Sequence, residues 1–186
     1  MTNPPPTDPR TAASRAGGPK APASPRRSRE PGHRRKFLVV VDDTPECDRA
    51  VYYASRRAAG TGGALLLLGV MELEGVNQQW LGIADLMRAE ATDDMSARLD
   101  KFAARARQVA DVDAETVIRE GSKADAVMAT IAEDEDIAIL VLAAGVSKEG
   151  PGPLVSALVG FHSGHFPVPI TIVPGALTDA EIDALA

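Results

Sequence analysis

The stretch Ile137-Ala138-Ile139-Leu140-Val141-Leu142-Ala143-Ala144, with the glycine-bearing loop that follows it and the segment Val168-Pro169-Ile170-Thr171-Ile172-Val173-Pro174, decides the fold. An apolar run without polar alternation suits a strand covered on both faces, as in a parallel sheet. Open parallel sheets bind ligands beyond the carboxyl ends of their strands. The loop after Ala144 is therefore where function is to be sought.

Working outward, Phe37-Leu38-Val39-Val40-Val41 reads as a second buried strand. Thr44 as N-cap and Pro45 at the first helical position then predict a helix to about Ala59. Ala64 to Val70 reads as a strand, with Gly60-Thr61-Gly62-Gly63 before it as a turn. Beyond a loop around Gly75 and Trp80, the apolar spacing predicts a helix from about Ile83 to Val109, with Leu86, Met87, Leu99, Phe102, Ala106 and Val109 as core positions. Ala114 to Arg119 is a more polar strand, suited to a sheet edge. A helix with Ala124, Val127, Met128 and Ile131 on its buried face precedes the Ile137 strand, and another from about Pro153 to Phe161 precedes the last one. Such alternation predicts a Rossmann-like three-layer α/β/α domain: a five-stranded parallel sheet, right-handed crossovers and helices on both faces.

The chain has 186 residues, 45% of them hydrophobic, and no run long enough to span a bilayer. Its charge is uneven. Met1 to Arg35 holds eight Lys or Arg against Asp8 and Glu30, about +6, which leaves about −12 on the rest of a chain of net charge −6. Rich in Pro, Ser, Ala and Gly, residues 1–35 read as a disordered tail, with a domain over 36–175 and a short helical extension over 176–186. The extension carries Thr178 and Glu181 at capping-box spacing. Prolines and the lack of an apolar segment argue against a signal or transit peptide. The basic run Arg26 to Arg35 lacks interleaved aromatics, so nucleic acid is not the expected partner, and a solvated tail is. A single cysteine, Cys47, excludes a disulfide framework and a cysteine zinc cluster, and fits a cytoplasmic protein.

Several α/β chemistries are disfavoured, a receiver-like phospho-switch and, behind it, a small serine hydrolase standing as the alternative readings. The turn after the first strand reads Asp42-Asp43-Thr44-Pro45-Glu46, where a dinucleotide enzyme needs glycines, and acid there repels phosphate. No Walker-type phosphate loop occurs. The acidic pair Asp42-Asp43 resembles that of a receiver domain, but Gly69 stands where the acceptor aspartate would lie. A serine hydrolase would use Ser147 in Gly145-Val146-Ser147-Lys148-Glu149, but Glu149 replaces the second glycine of a nucleophile elbow. His162 and His165 lack a third ligand of clear spacing, so no metal site is expected. No catalytic residue is assigned.

From Lys36 to Pro174 the chain resembles the universal stress protein family. The resemblance rests on Val40-Val41-Asp42 ending the first strand, a second strand ending near Val70, the turn Glu120-Gly121-Ser122-Lys123-Ala124, the Ile137 strand with its glycine loop, and the closing Pro-Val-Pro-Ile-Thr-Ile-Val-Pro strand. It implies a non-catalytic stress-response or regulatory protein, a homodimer paired through Ile170 to Val173, and, in one branch, ATP or another adenine nucleotide as ligand. In that branch the aspartate matching Asp42 hydrogen-bonds the base. Asp42 could equally cap the following helix with Asp43 and Thr44.

The branch's phosphate motif, G-x-x-G, nine residues, then G-[ST], falls on Ala143, Val146, Ser156 and Ala157 when Pro169 is aligned with the family's proline. None is glycine, and Pro151 and Pro153 remove two N–H donors. Nucleotide binding is therefore expected in weakened form. Its candidate contacts are Asp42, Thr44, Val70, Gly145, Ser147, Gly150, Gly152 and Ser156. The loop itself reads either as an anion nest or as a proline-rich turn.

Overall fold

The computed structural model describes residues 25–72, 81–148, 150–161 and 166–186. Strands β1 (Lys36–Val41), β2 (Ala64–Met71), β3 (Ala114–Glu120), β4 (Ile137–Ala144) and β5 (Ile170–Pro174) form one sheet of order β3-β2-β1-β4-β5. Every neighbouring pair is parallel. The predicted Rossmann-like sheet is present, with the polar strand β3 at one edge and β5 at the other.

Alternation along β1 divides the core. Phe37, Val39 and Val41 face one layer of helices, α1 (Cys47–Thr61), α2 (Leu81–Ala110) and α5 (Asp179–Leu185). Leu38 and Val40 face the other, α3 (Lys123–Glu133) and α4 (Pro153–Phe161). Both sets are buried, which is why β1 and β4 read as continuous apolar runs.

Two boundaries and one pair of core positions differ from expectation. Helix α1 starts at Cys47, because Thr44 donates its hydroxyl and its N–H to Asp42 Oδ1, at 2.6 and 3.0 Å, instead of capping the helix. Its far end runs on through Gly60 and Thr61, and Gly62 closes it in the left-handed region at φ 64°. In α2, Leu99, Phe102 and Ala106 are buried, but Leu86 and Met87 are more than half exposed. A helix of 30 residues spans about 45 Å against roughly 26 Å for the eight residues of β2, so its first turns run past the core. Arg88 there is held by Glu120 at 2.9 Å, an ion pair rather than apolar packing.

Residues 26–35 also depart from the expected tail, for they lie along the amino-terminal ends of the strands. Arg26 Nη1 donates to the carbonyls of Ile131 and Asp134 at the end of α3, at 2.6 and 2.9 Å. The Arg27 N–H donates to Glu135 O at 3.0 Å, His33 Nδ1 lies 2.6 Å from Asp136 Oδ1, and Arg34 donates to Gly63 O at 2.7 Å. The rest of the predicted tail, residues 1–24, and the loop around Gly75 and Trp80 fall outside the described residues.

At the other terminus the capping box of Thr178 and Glu181 is formed, and Ile182 is fully buried. Helix α5 is tied to its neighbours by charge: Asp179 meets Arg49 and Arg105, and Asp183 takes a hydrogen bond from Tyr52. Partial burial works against ionisation of Asp48, but Arg105 and Arg49 outweigh it and hold that carboxyl below its ordinary range.

Candidate functional site

Between β1 and β4 the chain order reverses, β1 connecting towards β2 and β4 towards β5. At such a switch point the loops leaving adjacent strands diverge and open a crevice. A cleft of about 130 Å³ lies there. It is smaller than the roughly 300 Å³ at which drug-sized pockets begin, so it has room for part of a nucleotide with the remainder at its mouth. Asp42, Thr44 and Glu46 form one wall, Gly145, Pro151 and Gly152 the other, and Lys123 approaches from the start of α3.

Of the eight residues singled out from the sequence, four meet in this cleft: Asp42, Thr44, Gly145 and Gly152. Val70 is buried within the sheet, packed in the core with Val40. Ser147 is exposed on the loop, and Gly150 lies beyond the cleft lining. Ser156 sits on α4 and returns its hydroxyl to Gly152 O at 2.9 Å. Asp42 spends Oδ1 on Thr44, and among the described residues no hydrogen bond occupies its Oδ2.

Two N–H groups of the loop after β4 are used within it. Gly145 N–H donates to Pro151 O at 3.2 Å and Gly150 N–H to Ser147 O at 3.3 Å, while Pro151 and Pro153 have none to give. Gly150 and Gly152 take φ of 106° and 100°, a region that permits this closed turn and that residues with a Cβ rarely adopt. The two bonds close this stretch of the loop as a turn. The Val146 N–H points elsewhere, donating to Glu46 Oε1 at 3.2 Å.

Sequence reasoning missed Glu46 and Lys123 as cleft residues. The signal for Glu46 was present in the acidic turn Asp42 to Glu46, read as hostile to phosphate but not followed to the loop it faces. Lys123 is paired with Glu72 Oε2 at 3.6 Å. Cys47 also lines the cleft, 2% exposed, and burial pushes its thiol up to about 12, which leaves it un-ionised and a poor nucleophile at neutral pH.

For a hydrolase, no histidine among the described residues stands beside Ser147. Ser147 follows the carboxyl end of β4, whereas His33 is bound to Asp136 at the opposite end of that strand. His162 and His165 lie outside the described residues. A receiver domain fares no better, because Gly69 is covered by Met95: an added Cβ would come within 2.5 Å of its Cγ and Sδ.

Comparison with curated protein sequences gives no match. Solved structures of the same fold do match. The universal stress protein UspA from Lactobacillus plantarum is 19% identical, with a TM-score of 0.61 over 75% of this chain and 97% of that one. A universal stress protein in complex with cAMP is 20% identical, with a TM-score of 0.52 over 77% of this chain and 98% of that one. One from Archaeoglobus fulgidus in complex with dAMP is 14% identical, with a TM-score of 0.50 over 75% and 97%. At such identities the likeness is one of fold. The sequence model of the universal stress protein family matches residues 33–174, from the segment before β1 to the end of β5. With most of its length matched and the sheet order, cleft and elements described above, the chain belongs to the universal stress protein family.

Proposed function

We propose that this protein is a non-catalytic stress-response regulator of the cytoplasm that binds an adenine nucleoside or monophosphate in the cleft between β1 and β4. The cleft's position carries the reading: it lies at the switch point of the sheet, with Asp42 at the end of β1 offering Oδ2 to a base. Structures of the same fold have been solved with cAMP and with dAMP, which makes small adenine nucleotides the first ligand class to consider. ATP is the weaker candidate, because the loop is closed on itself and two of its nitrogens belong to prolines.

Calorimetric titration of the full chain with AMP tests this. Binding is expected, with ATP binding more weakly and Asp42→Ala losing about tenfold or more in AMP affinity, the loss expected for one charge-assisted hydrogen bond. Absence of AMP binding, or an Asp42→Ala variant that binds as well as the parent, would sink the ligand assignment.

The quaternary proposal is a homodimer through β5. Pro169 O and Gly175 N both bond to β4, so the period of two turns Thr171 and Val173 inward and leaves the backbone of Ile170 and Ile172 at the open edge. Ile172 is 40% exposed beside Val159, Phe166 and Val168 in an apolar groove. Light scattering should report a dimer for the parent and a folded monomer for Ile172→Pro, which removes an edge donor. Thr171→Pro instead breaks a bond to β4 and should damage the sheet. A monomeric parent, or a dimeric Ile172→Pro, would rule out edge pairing.

A further inference from the structure

We propose that Glu46 acts as a built-in anion, selecting against polyphosphate in the cleft by occupying the place on the β4–α4 loop that a phosphate would take. This inference rests on the adenine reading above and names what limits it.

The side chain is held in position from three sides. Glu46 Oε1 accepts the Val146 N–H at 3.2 Å. It passes close to Gly145, where an added Cβ would stand 3.6 Å from Oε1. On the other side it fills the space over Gly175, where an added Cβ would collide with Glu46 Cγ and lie 3.1 Å from Glu46 Cβ. Two glycines thus leave room for this side chain across the seam between α1 and the loop.

Glu46 is the N-cap residue of α1 but makes no side-chain cap bond, so its carboxylate is not committed to its own helix. Among the described residues no Lys, Arg or His forms an ion pair with it. A carboxylate on a loop N–H, unneutralised by a cation, is chemically what a phosphate oxygen would be in the same place. With Asp42 on the same wall, the described lining of the cleft holds two acids, and the one cation among those residues, Lys123, already faces Glu72. A base or ribose can enter such a site, whereas a triphosphate must displace a fixed negative charge and then lie against it.

Adenosine, AMP, ATP and inorganic pyrophosphate titrated into the full chain and into Glu46→Gln and Glu46→Ala separate the alternatives. Glutamine keeps an acceptor for Val146 and removes the charge; alanine also frees the N–H. The ratio of ATP to adenosine affinity is expected to rise by about tenfold or more in Glu46→Gln and at least as far in Glu46→Ala. An unchanged ratio in both variants, with melting temperatures showing them folded, overturns the proposal. If adenosine binds none of the three proteins, the adenine reading falls, and the proposal is then judged on pyrophosphate, whose affinity must rise in the same order. Should a variant fail to fold, amide NMR of the parent decides instead: the Val146 signal must follow protonation of Glu46, and a Val146 amide that is indifferent to it overturns the proposal.

Discussion

Gly69→Asp is expected to destabilise the domain by about 3 kcal/mol or more, through overpacking and the burial of an unpaired charge together. For a chain of this size that is a fall in melting temperature of roughly 6–12 °C. Gly69 lies in β2, whose eight residues are all buried. An added Cβ would meet Met95 Cγ and Sδ at 2.5 Å and Leu99 Cδ1 at 3.3 Å, so α2 must lift or Met95 must swing away. A carboxylate on that Cβ would then enter the layer of Phe37, Val39 and Leu67. Gly69→Ala separates the two effects, since methionine is flexible enough to yield to a methyl group, and it should cost less. Urea denaturation of both variants measures the difference. Parental stability for Gly69→Asp would mean that α2 does not cover this point of β2, and would reopen the receiver reading that Gly69 closes.

A chain starting at Lys36 is expected to be about 2–4 kcal/mol less stable than the full chain, because several net hydrogen-bond contributions of about 1 kcal/mol each disappear together. The bonds concerned are those of Arg26 to the end of α3, Arg27 to Glu135, His33 to Asp136 and Arg34 to Gly63. Arg26 matters most. Its guanidinium serves the carbonyls of Ile131 and Asp134, at the helix end where carbonyls lack partners and the dipole favours a cation. The exposed pairs of Arg27 with Glu30 and Glu135 should add little. A chain starting at Pro25 keeps all of these groups and should melt with the full chain. Equal stability for the chain starting at Lys36 would show that residues 26–35 rest on the fold without supporting it.

Element type and order were legible because they depend on local pattern. The unbroken runs of β1 and β4 announced strands buried on both faces, the polarity of β3 its place at the edge, and the Thr178–Glu181 spacing a capping box. Leu99, Phe102 and Ala106 recur at helical spacing and are buried, but that spacing carried back towards the start of α2 meets Thr92 and Arg88, so Leu86 and Met87 stand off the buried face of a helix that also runs past the sheet. Periodicity says which face of a helix is apolar. It does not say where the surface that covers that face ends.

The site was legible in position and not in detail. From the sequence alone came a parallel sheet, the loop after Ala144 as the place to look, Asp42 at the end of β1, and an acidic turn hostile to phosphate, while the strand order that makes this loop part of a switch point came from the structure. Tertiary structure alone decided that Asp42 turns Oδ1 towards Thr44, that Ile172 rather than Thr171 presents its backbone to the open edge, and that Arg26 reaches the end of α3. It alone also set Glu46 against Val146, 100 residues away in the chain. Hydrophobic spacing and turn chemistry act between near neighbours and survive in one dimension. The meeting of Glu46 with Val146 depends on how α1 and the β4–α4 loop pack across the seam between two strands, and no local pattern records that distance.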